Sequence, residues 1–418
     1  MSAATPSSSS STSTLAHPHT TMGSIDALSP ALTDDVEVIL LGTGTSSTVP
    51  HVDCLTAPPG AKKCKTCWST LYPEGKKNIR RNTSAVARVR AQNGELVTIV
   101  IDVGKSFQQA AVEWFPKYGL RKIDAVLITH AHADAMNGLD DLRGWTLHGA
   151  IQPHVDLYVS LETFQEVGRA FPYLISKEFA SGGGDVPEFN WHIIEDRKPF
   201  TIGDTGIVVD PFKVHHGRVF SAPPVDFTPS PNSVSPASTH PSSPGQPGTP
   251  VNARALTPET EPVKEIFPYF CFGFTIQNAV TYISDCSHIP EDVWEHIRAS
   301  YAAAYASARP PVLVLDCLRL QPHTSHLSLA QAVEIARRMG ARKTYLTGFS
   351  HEVSHDEYRT ILEQVGGRTA PQDEVTEVVK QGLETLEDGP PVWVRPAFDG
   401  LRVFISPSGK EVRDSEYY

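Results

Sequence analysis

The apolar run Ala125-Val126-Leu127-Ile128-Thr129 leads directly into His130-Ala131-His132-Ala133-Asp134. A short apolar stretch of this kind reads as a buried strand. Two histidines two apart, with an aspartate two further on, then share one tight turn at its end. Neutral imidazoles and a carboxylate are the donors a zinc-like divalent cation prefers. An ion held there brings the pKa of its bound water to near ~7, which supplies hydroxide at neutral pH. A chain carrying this turn must therefore bury a sheet and bring further donors to the same end of it. Three solvated polar residues in an ordinary loop are the competing reading, and it does not explain why the trio abuts a buried strand.

Two other segments offer partners. Asp210-Pro211-Phe212-Lys213-Val214-His215-His216-Gly217 ends an alternating apolar run in a histidine pair, and Thr281-Tyr282-Ile283-Ser284-Asp285 is a short β-rich run ending in a carboxylate. Strand ends are where α/β folds commonly build sites. Strand patterns also occur near 37–41, 96–103, 155–159, 271–276, 312–316, 344–347 and 401–405. Helical patterns start near 106 and cover 137–145, 161–170 and 327–339. Clustered strands with interspersed helices place the chain in the α+β or α/β class. They fit a four-layer αββα sandwich, but periodicity alone also fits other α/β folds.

At about 150 residues per domain, 418 residues suggest two or three domains, yet composition argues for one. Residues 1–34 are rich in Ser, Thr, Pro and Ala, and 222–262 form a Pro/Ser/Thr tract almost without large apolar side chains. Neither can bury enough surface to offset its ordering entropy, so both are expected to be disordered. The expected organisation is one hydrolase domain over 35–410, interrupted by 222–262, with a tail at 411–418. No lysine or arginine precedes Lys62, and the N-terminal stretch has no apolar core. This argues against secretory and mitochondrial leaders. Without a long apolar run, no membrane span is expected. The net charge of −11 disfavours broad binding to phosphate backbones. The expectation is a cytoplasmic protein, with the nucleus as the alternative compartment.

Six cysteines, three of them clustered, read as a metal site in a reducing compartment rather than a disulfide framework. Cys54, Cys64 and Cys67 are spaced C-x9-C-x2-C. Three thiolates supply three corners of a tetrahedral zinc site, and one more ligand is needed. His51 is a local candidate.

With Gly42-Thr43-Gly44-Thr45 after the first strand and Pro396-Ala397-Phe398-Asp399-Gly400 before the last, this series of motifs resembles the metallo-β-lactamase fold superfamily. Within it, the chain resembles the phosphoribosyl cyclic phosphodiesterase branch and its uncharacterised eukaryotic hydrolase relatives. The resemblance spans about 36 to 405 apart from the insertion, and its motifs specify the superfamily better than any substrate. It implies the αββα sandwich. It also implies a catalytic ion held by His130, His132, His216 and a bridging Asp285, with Asp134 beside them. His216 is preferred over His215 because Gly217 follows it.

The second metal position departs from the family pattern. Ala135 stands where the turn would continue Asp-His, and Gly348 stands where a histidine would follow Thr347. The second ion is therefore expected to be absent, weak, or held by Asp134, Asp285 and other donors, with His288, His323 and His355 as candidates. The resemblance further implies that His326 protonates a leaving oxygen and that His351 closes the three-cysteine site. Arg143 could grip a phosphate oxygen bidentately, or simply pair with Asp140 or Asp141 at the surface.

The implied activity is metal-dependent hydrolysis of a small-molecule phosphate ester, in particular a cyclic phosphodiester, by metal-bound hydroxide. The expected cofactors are Zn2+ at the cysteine site, and Zn2+, or Mn2+ or Fe2+, at the catalytic site. Neither a membrane nor a nucleic-acid partner is expected, and the oligomeric state is open. The rivals are hydrolysis of a thioester or lactone, a catalytically silent zinc-binding protein, and transfer-RNA processing.

Overall fold

The structure is a computed structural model that describes Met1 and residues 36–182, 185–219, 267–305 and 309–417. The expected disordered segments 1–34 (Met1 apart) and 222–262 lie outside the described residues. The chain lays down β1 (Val36–Gly42), β2 (Ser84–Arg90), β3 (Leu96–Ile101), β4 (Ala125–Leu127), β5 (Val155–Val159) and β6 (Phe189–Ile193). A second series follows: β7 (Phe200–Thr201), β8 (Val208–Val219), β9 (Phe267–Ile276), β10 (Val280–Ile283), β11 (Val312–Asp316), β12 (Lys343–Thr347) and β13 (Val394–Pro396). Then β14 (Arg402–Ile405) and β15 (Val412–Asp414) return to the first sheet. The strand orders are β15-β14-β1-β2-β3-β4-β5-β6 and β13-β12-β11-β10-β9-β8-β7.

Side chains alternate across a strand, so a run apolar at every position must be buried on both faces. In β1, Val38 and Leu40 join the core between the sheets with Phe272, Phe274 and Val314. Ile39 and Leu41 join an outer core with Phe107 and Trp114 of the helix Phe107–Tyr118. Leu313 and Leu315 of β11 likewise face the helices Glu291–Ala304, Leu329–Met339 and His355–Val365. Helices therefore cover both outer faces, giving the αββα sandwich. Glu37, fully buried in β1, is held by Arg88 and by Arg402 Nε at 2.6 Å. Removing one partner of such a group costs ~3–5 kcal/mol.

Two local expectations change. Residues 137–145 do not form one helix. Ala133–Met136, Leu139–Leu142 and Arg143–Thr146 are separate short turns of helix. Gly138 breaks the series because it packs against the Gly104 carbonyl, where a Cβ would lie 2.3 Å away. Residues 411–418 were expected to be a tail, but through Tyr417 they belong to the domain. β15 pairs with β14, Tyr345 Oη donates to Asp414 Oδ2 at 2.8 Å, and the buried Tyr417 donates to the Pro396 carbonyl at 2.7 Å.

The topology positions the site. β3 through β6 run parallel in one sheet, and β10 through β13 in the other. Asp102 and His130 follow β3 and β4, while Asp285, Asp316 and Gly348 follow or end β10, β11 and β12. These are carboxyl ends of parallel strands, where α/β sheets place their ligands.

Candidate metal centres

The first centre starts from Asp102, held at φ 61° just after β3. Its carboxylate accepts from the Thr129 backbone N–H at 2.8 Å and from Thr129 Oγ1 at 2.9 Å. Oγ1 has one proton to give, so it accepts from His130 Nδ1, 2.8 Å away. This fixes the imidazole tautomer and turns the Nε2 lone pair inward, where it is buried without a hydrogen-bond partner. His216 is set the same way: Nδ1 donates to the Ser325 carbonyl at 2.7 Å, and Nε2 stands 3.2 Å from His132 Nδ1. His132, at the mouth with its ring packed inward, stacks on Tyr269 with ring centroids 4.7 Å apart. Asp285 closes the group, its Oδ2 3.9 Å from His130 Nε2.

The donor atoms of His130, His132 and His216 lie within 4.8 Å of one another, as do those of His130, Cys271 and Asp285, and of His216, Asp285 and His326. Burial drives His130 well below the ordinary histidine range, and burial with His216 pushes His132 down to about 4. Burial works against ionisation of Asp285, but His130, His216 and His326 outweigh it and hold the carboxyl low. Three imidazoles, one carboxylate and an orphaned buried Nε2 fit a divalent cation.

Around this group the sequence expectations divide. Asp134 is half-buried beside it, its carboxyl pushed up to about 6 by burial and Asp285, but it joins none of these donor clusters. His215 turns away: its backbone bridges to His288 and its ring meets Phe270. His288 and His323 join no donor cluster, and His355 is buried against Phe398 and Tyr417. His326 sits edge-on to His216, centroids 4.8 Å apart, with Nδ1 3.1 Å from Asp316 Oδ1 and 3.5 Å from Asp285 Oδ1. Burial pulls His326 down, but Asp316 and Asp285 prevail and push it up to about 9.

Arg143 is not among the residues lining the cavity beside the histidines. Its guanidinium is committed to Asp140, at 3.0 and 2.5 Å, and to the Asp185 carbonyl, because the turn places its carboxylate partner three residues away. A cavity of about 990 Å³ opens beside the three histidines, and the cations on its wall include Lys213 and Arg218.

The second centre joins residues from opposite ends of the chain. Cys54 lies in the helix Val52–Leu55, Cys64 caps the helix Lys65–Ser69, and Cys67 is buried within it. Their Sγ atoms stand 3.2, 3.6 and 3.5 Å from His351 Nδ1. Tetrahedral zinc with ordinary bond lengths separates sulfur from nitrogen by about 3.6 Å. The backbone N–H of His51 points at Cys67 Sγ, 3.3 Å away, while the His51 ring stacks on His351 at 3.8 Å. His351 is therefore the fourth corner of this cluster, and His51 packs behind it. Burial raises the Cys54 thiol and pushes Cys67 up to about 12, so a cation must displace protons to bind.

The sequence reading missed several neighbours of the first centre. Asp316 ends the apolar run Val312-Leu313-Val314-Leu315 as Asp285 ends its own, and Asp102 follows an apolar strand in the same way. That signal was legible. Tyr269, Lys213 and Arg218 carry no such mark. Only the β8–β9 pairing brings them to the cavity.

Among known proteins, residues 97–235 and 229–349 match the family described as Beta-lactamase superfamily domain. A solved diphosphatase from the PhnP family superposes with a TM-score of 0.54 at 22% identity, covering 88% of this chain and 96% of that one. Zn2+-bound PqqB from Methylobacterium extorquens gives 0.51 at 14%, over 88% and 99%. A curated octanoyltransferase of Porphyromonas gingivalis is 30% identical over 181 residues, 43% of this chain. The chain spans only 31% of that relative's length. On the family match, this chain belongs to the metallo-β-lactamase superfamily of metal-dependent hydrolases.

Proposed function

We propose that this chain hydrolyses a small phosphate ester, in particular a cyclic phosphodiester, at the centre formed by His130, His132, His216 and Asp285. The observation that carries this reading is His326, fixed through Nδ1 by Asp316 at the edge of the donor cluster. Its Nε2 makes no hydrogen bond among the described residues, so it is free to hold a proton for a leaving oxygen. A divalent cation bound by the three imidazoles and Asp285 would supply an acidified water and an electrophile at neutral pH. Thr129 and the Ser325 carbonyl keep the imidazoles in the ligating tautomer. Lys213 and Arg218 offset the charge of an anionic ester in the cavity. Water adds to phosphorus and loses one proton to solvent, the bond to the leaving oxygen breaks, that oxygen takes the His326 proton, and His326 is reprotonated from solvent. General-acid help of this kind is worth ~10²–10⁴-fold.

We take zinc as the ion of the cysteine cluster, and zinc, manganese or ferrous iron as the ion of the histidine centre. The net charge of −11 speaks for a small substrate rather than a nucleic acid. Among the described residues no helix is long and apolar enough to cross a membrane. The deciding experiment is metal analysis of protein purified without chelators, paired with hydrolysis of phosphodiesters, thioesters and lactones. Phosphodiester turnover that a chelator abolishes is the expected result. Selective turnover of a thioester or lactone moves the reading to another ester. An ion-loaded protein inert on all three would make it a silent zinc-binding protein, the reading that Ala135 and Gly348 favour.

A further inference from the structure

A ligating imidazole is usually fixed by a partner on its other side, because ordering a ring that is free to turn costs affinity. His130 has such a partner in Thr129 Oγ1 at 2.8 Å, and His216 has one in the Ser325 carbonyl at 2.7 Å. His132 has none: among the described residues its only hydrogen-bond contact is Nδ1 with His216 Nε2, inside the donor cluster. What meets its ring instead is Tyr269, 10° from parallel at a centroid distance of 4.7 Å. The phenol oxygen of Tyr269 accepts from the Ala131 backbone N–H at 3.3 Å, between the two histidines of the turn. The same ring stands 6.2 Å from His130, edge-on at 76°, and 6.0 Å from His216. Strand pairing puts it there. β8 and β9 pair His215 with Phe270 and Arg218 with Pro268, so His216 and Gly217 both fall opposite Tyr269. A bulge of this kind re-aims a side chain: Gly217 takes φ +78°, and His216 joins the donor cluster. Tyr269 also lines the cavity beside the histidines.

We propose that Tyr269 is the positioning residue of His132, holding it by ring stacking where the other two imidazoles are held by hydrogen bonds, and that the same side chain forms part of the wall on which the ester lies. The claim rests on the hydrolase reading above and deepens it. Stacking restrains the tilt of an imidazole but lets it slide in its own plane, so His132 is the most adjustable of the three histidines. Its hold comes mainly from the ring, since a neutral contact of 3.3 Å is at the long end for an N–H donor. Phe270 and Phe272 stand on the same cavity wall, which makes that wall aromatic beside the centre and suits an ester with a flat or apolar substituent. The competing role for Tyr269 is packing alone: filling the space between β9 and the histidine turn, with no bearing on where His132 points.

The test uses the full chain, with the cysteine cluster filled by Zn2+, as wild type, Tyr269→Phe, Tyr269→Leu and Tyr269→Met. Zn2+ affinity of the histidine centre is read by competition against a chelating dye, and the visible spectrum of Co2+ bound there reports ligand geometry. Tyr269→Leu and Tyr269→Met should weaken Zn2+ roughly tenfold, between the value of a ring pair and that of an outer hydrogen-bond partner. Tyr269→Phe keeps the ring and loses only the contact with Ala131, so it should stay within about threefold of wild type. The Co2+ spectrum should be preserved in the Phe variant and shifted in the two aliphatic ones. On bis(p-nitrophenyl) phosphate, kcat of the aliphatic variants should return to within about threefold of wild type at saturating Zn2+, while KM stays raised because the ion does not restore the lost wall. Equal Zn2+ affinity in wild type and the aliphatic variants, a Phe variant as weak as they are, or a kcat that saturating Zn2+ does not restore would each overturn the assignment. The last of these would make Tyr269 a packing residue of the turn. Tyr269→Met keeps most of the volume and carries the comparison if Tyr269→Leu fails to fold. A wild type that binds Zn2+ but leaves the ester intact sinks the phosphate reading by itself, and the affinities and spectra then decide Tyr269.

Discussion

Cys54 Sγ stands 3.2 Å from His351 Nδ1 although 297 positions separate the two residues in sequence. Between them, the glycine turn after β1 bridges to the residue that follows Gly348, through Gly44 and Phe349. A cation shared by Cys54, Cys64, Cys67 and His351 would therefore pin the loop after β1 beside the strand end that carries Gly348. Its removal should be felt locally before it is felt at the histidine centre.

Cys67→Ser or His351→Ala should lower zinc content by one equivalent, leave the ion of His130 and His132 in place, and reduce Tm by several degrees. Elemental analysis with thermal unfolding checks this. Retention of the full metal complement in both variants would remove the cluster from the list of metal sites.

Thr129 links Asp102 to His130 through one hydroxyl. Thr129→Val keeps the shape and deletes both hydrogen bonds, so affinity for the ion of the histidine centre should fall ~10–100-fold, whereas Thr129→Ser should retain it. Competition against a chelating dye measures the difference. Equal affinities in Val and Ser variants would show that the hydroxyl does not set the imidazole.

The two arginines should behave oppositely. Arg143→Ala should leave kcat and KM within about twofold of wild type, since its partner Asp140 is a surface carboxylate. Arg218→Ala should raise KM for an anionic ester by roughly tenfold, the ratio given by ~1.4 kcal/mol of lost charge-assisted contact. Steady-state kinetics on the two variants suffices, and the reverse ranking would return the anion-binding role to Arg143.

His355 is buried, and burial together with Arg80 and Lys77 holds it well below the ordinary histidine range. On acidification the unfolded chain takes up a proton near the ordinary histidine pKa and the folded one does not. Stability is therefore full above that range and falls as pH drops through it, with a slope approaching ~1.4 kcal/mol per pH unit. Urea unfolding between pH 7 and 5 should show this loss, and His355→Gln should flatten it. An unaltered slope in the variant would assign the effect to other groups.

The local grammar of this chain was readable without a structure. His130 and His132 had to share a turn because an apolar strand ends immediately before them. Asp285 had to sit at a strand end for the same reason, and the C-x2-C pair announced a sulfur site. β1 had to be a strand buried on both faces, since its residues are apolar at nearly every position. Other features depended on which remote element arrives at a given point. Arg143 was drawn to Asp140, a contact available within its own turn, rather than to the cavity. Residues 411–418 look like a tail by composition, but Tyr417 finds a buried acceptor in Pro396 and so belongs to the core. Lys213 and Arg218 reach the cavity through the β8–β9 register, which no local pattern encodes. The replacement of a histidine by Gly348 reads in sequence as a bare loss. Only strand pairing shows what surrounds that glycine: φ +79° and a buried carboxylate 2.7 Å from where a side chain would begin, neither of which a local pattern encodes.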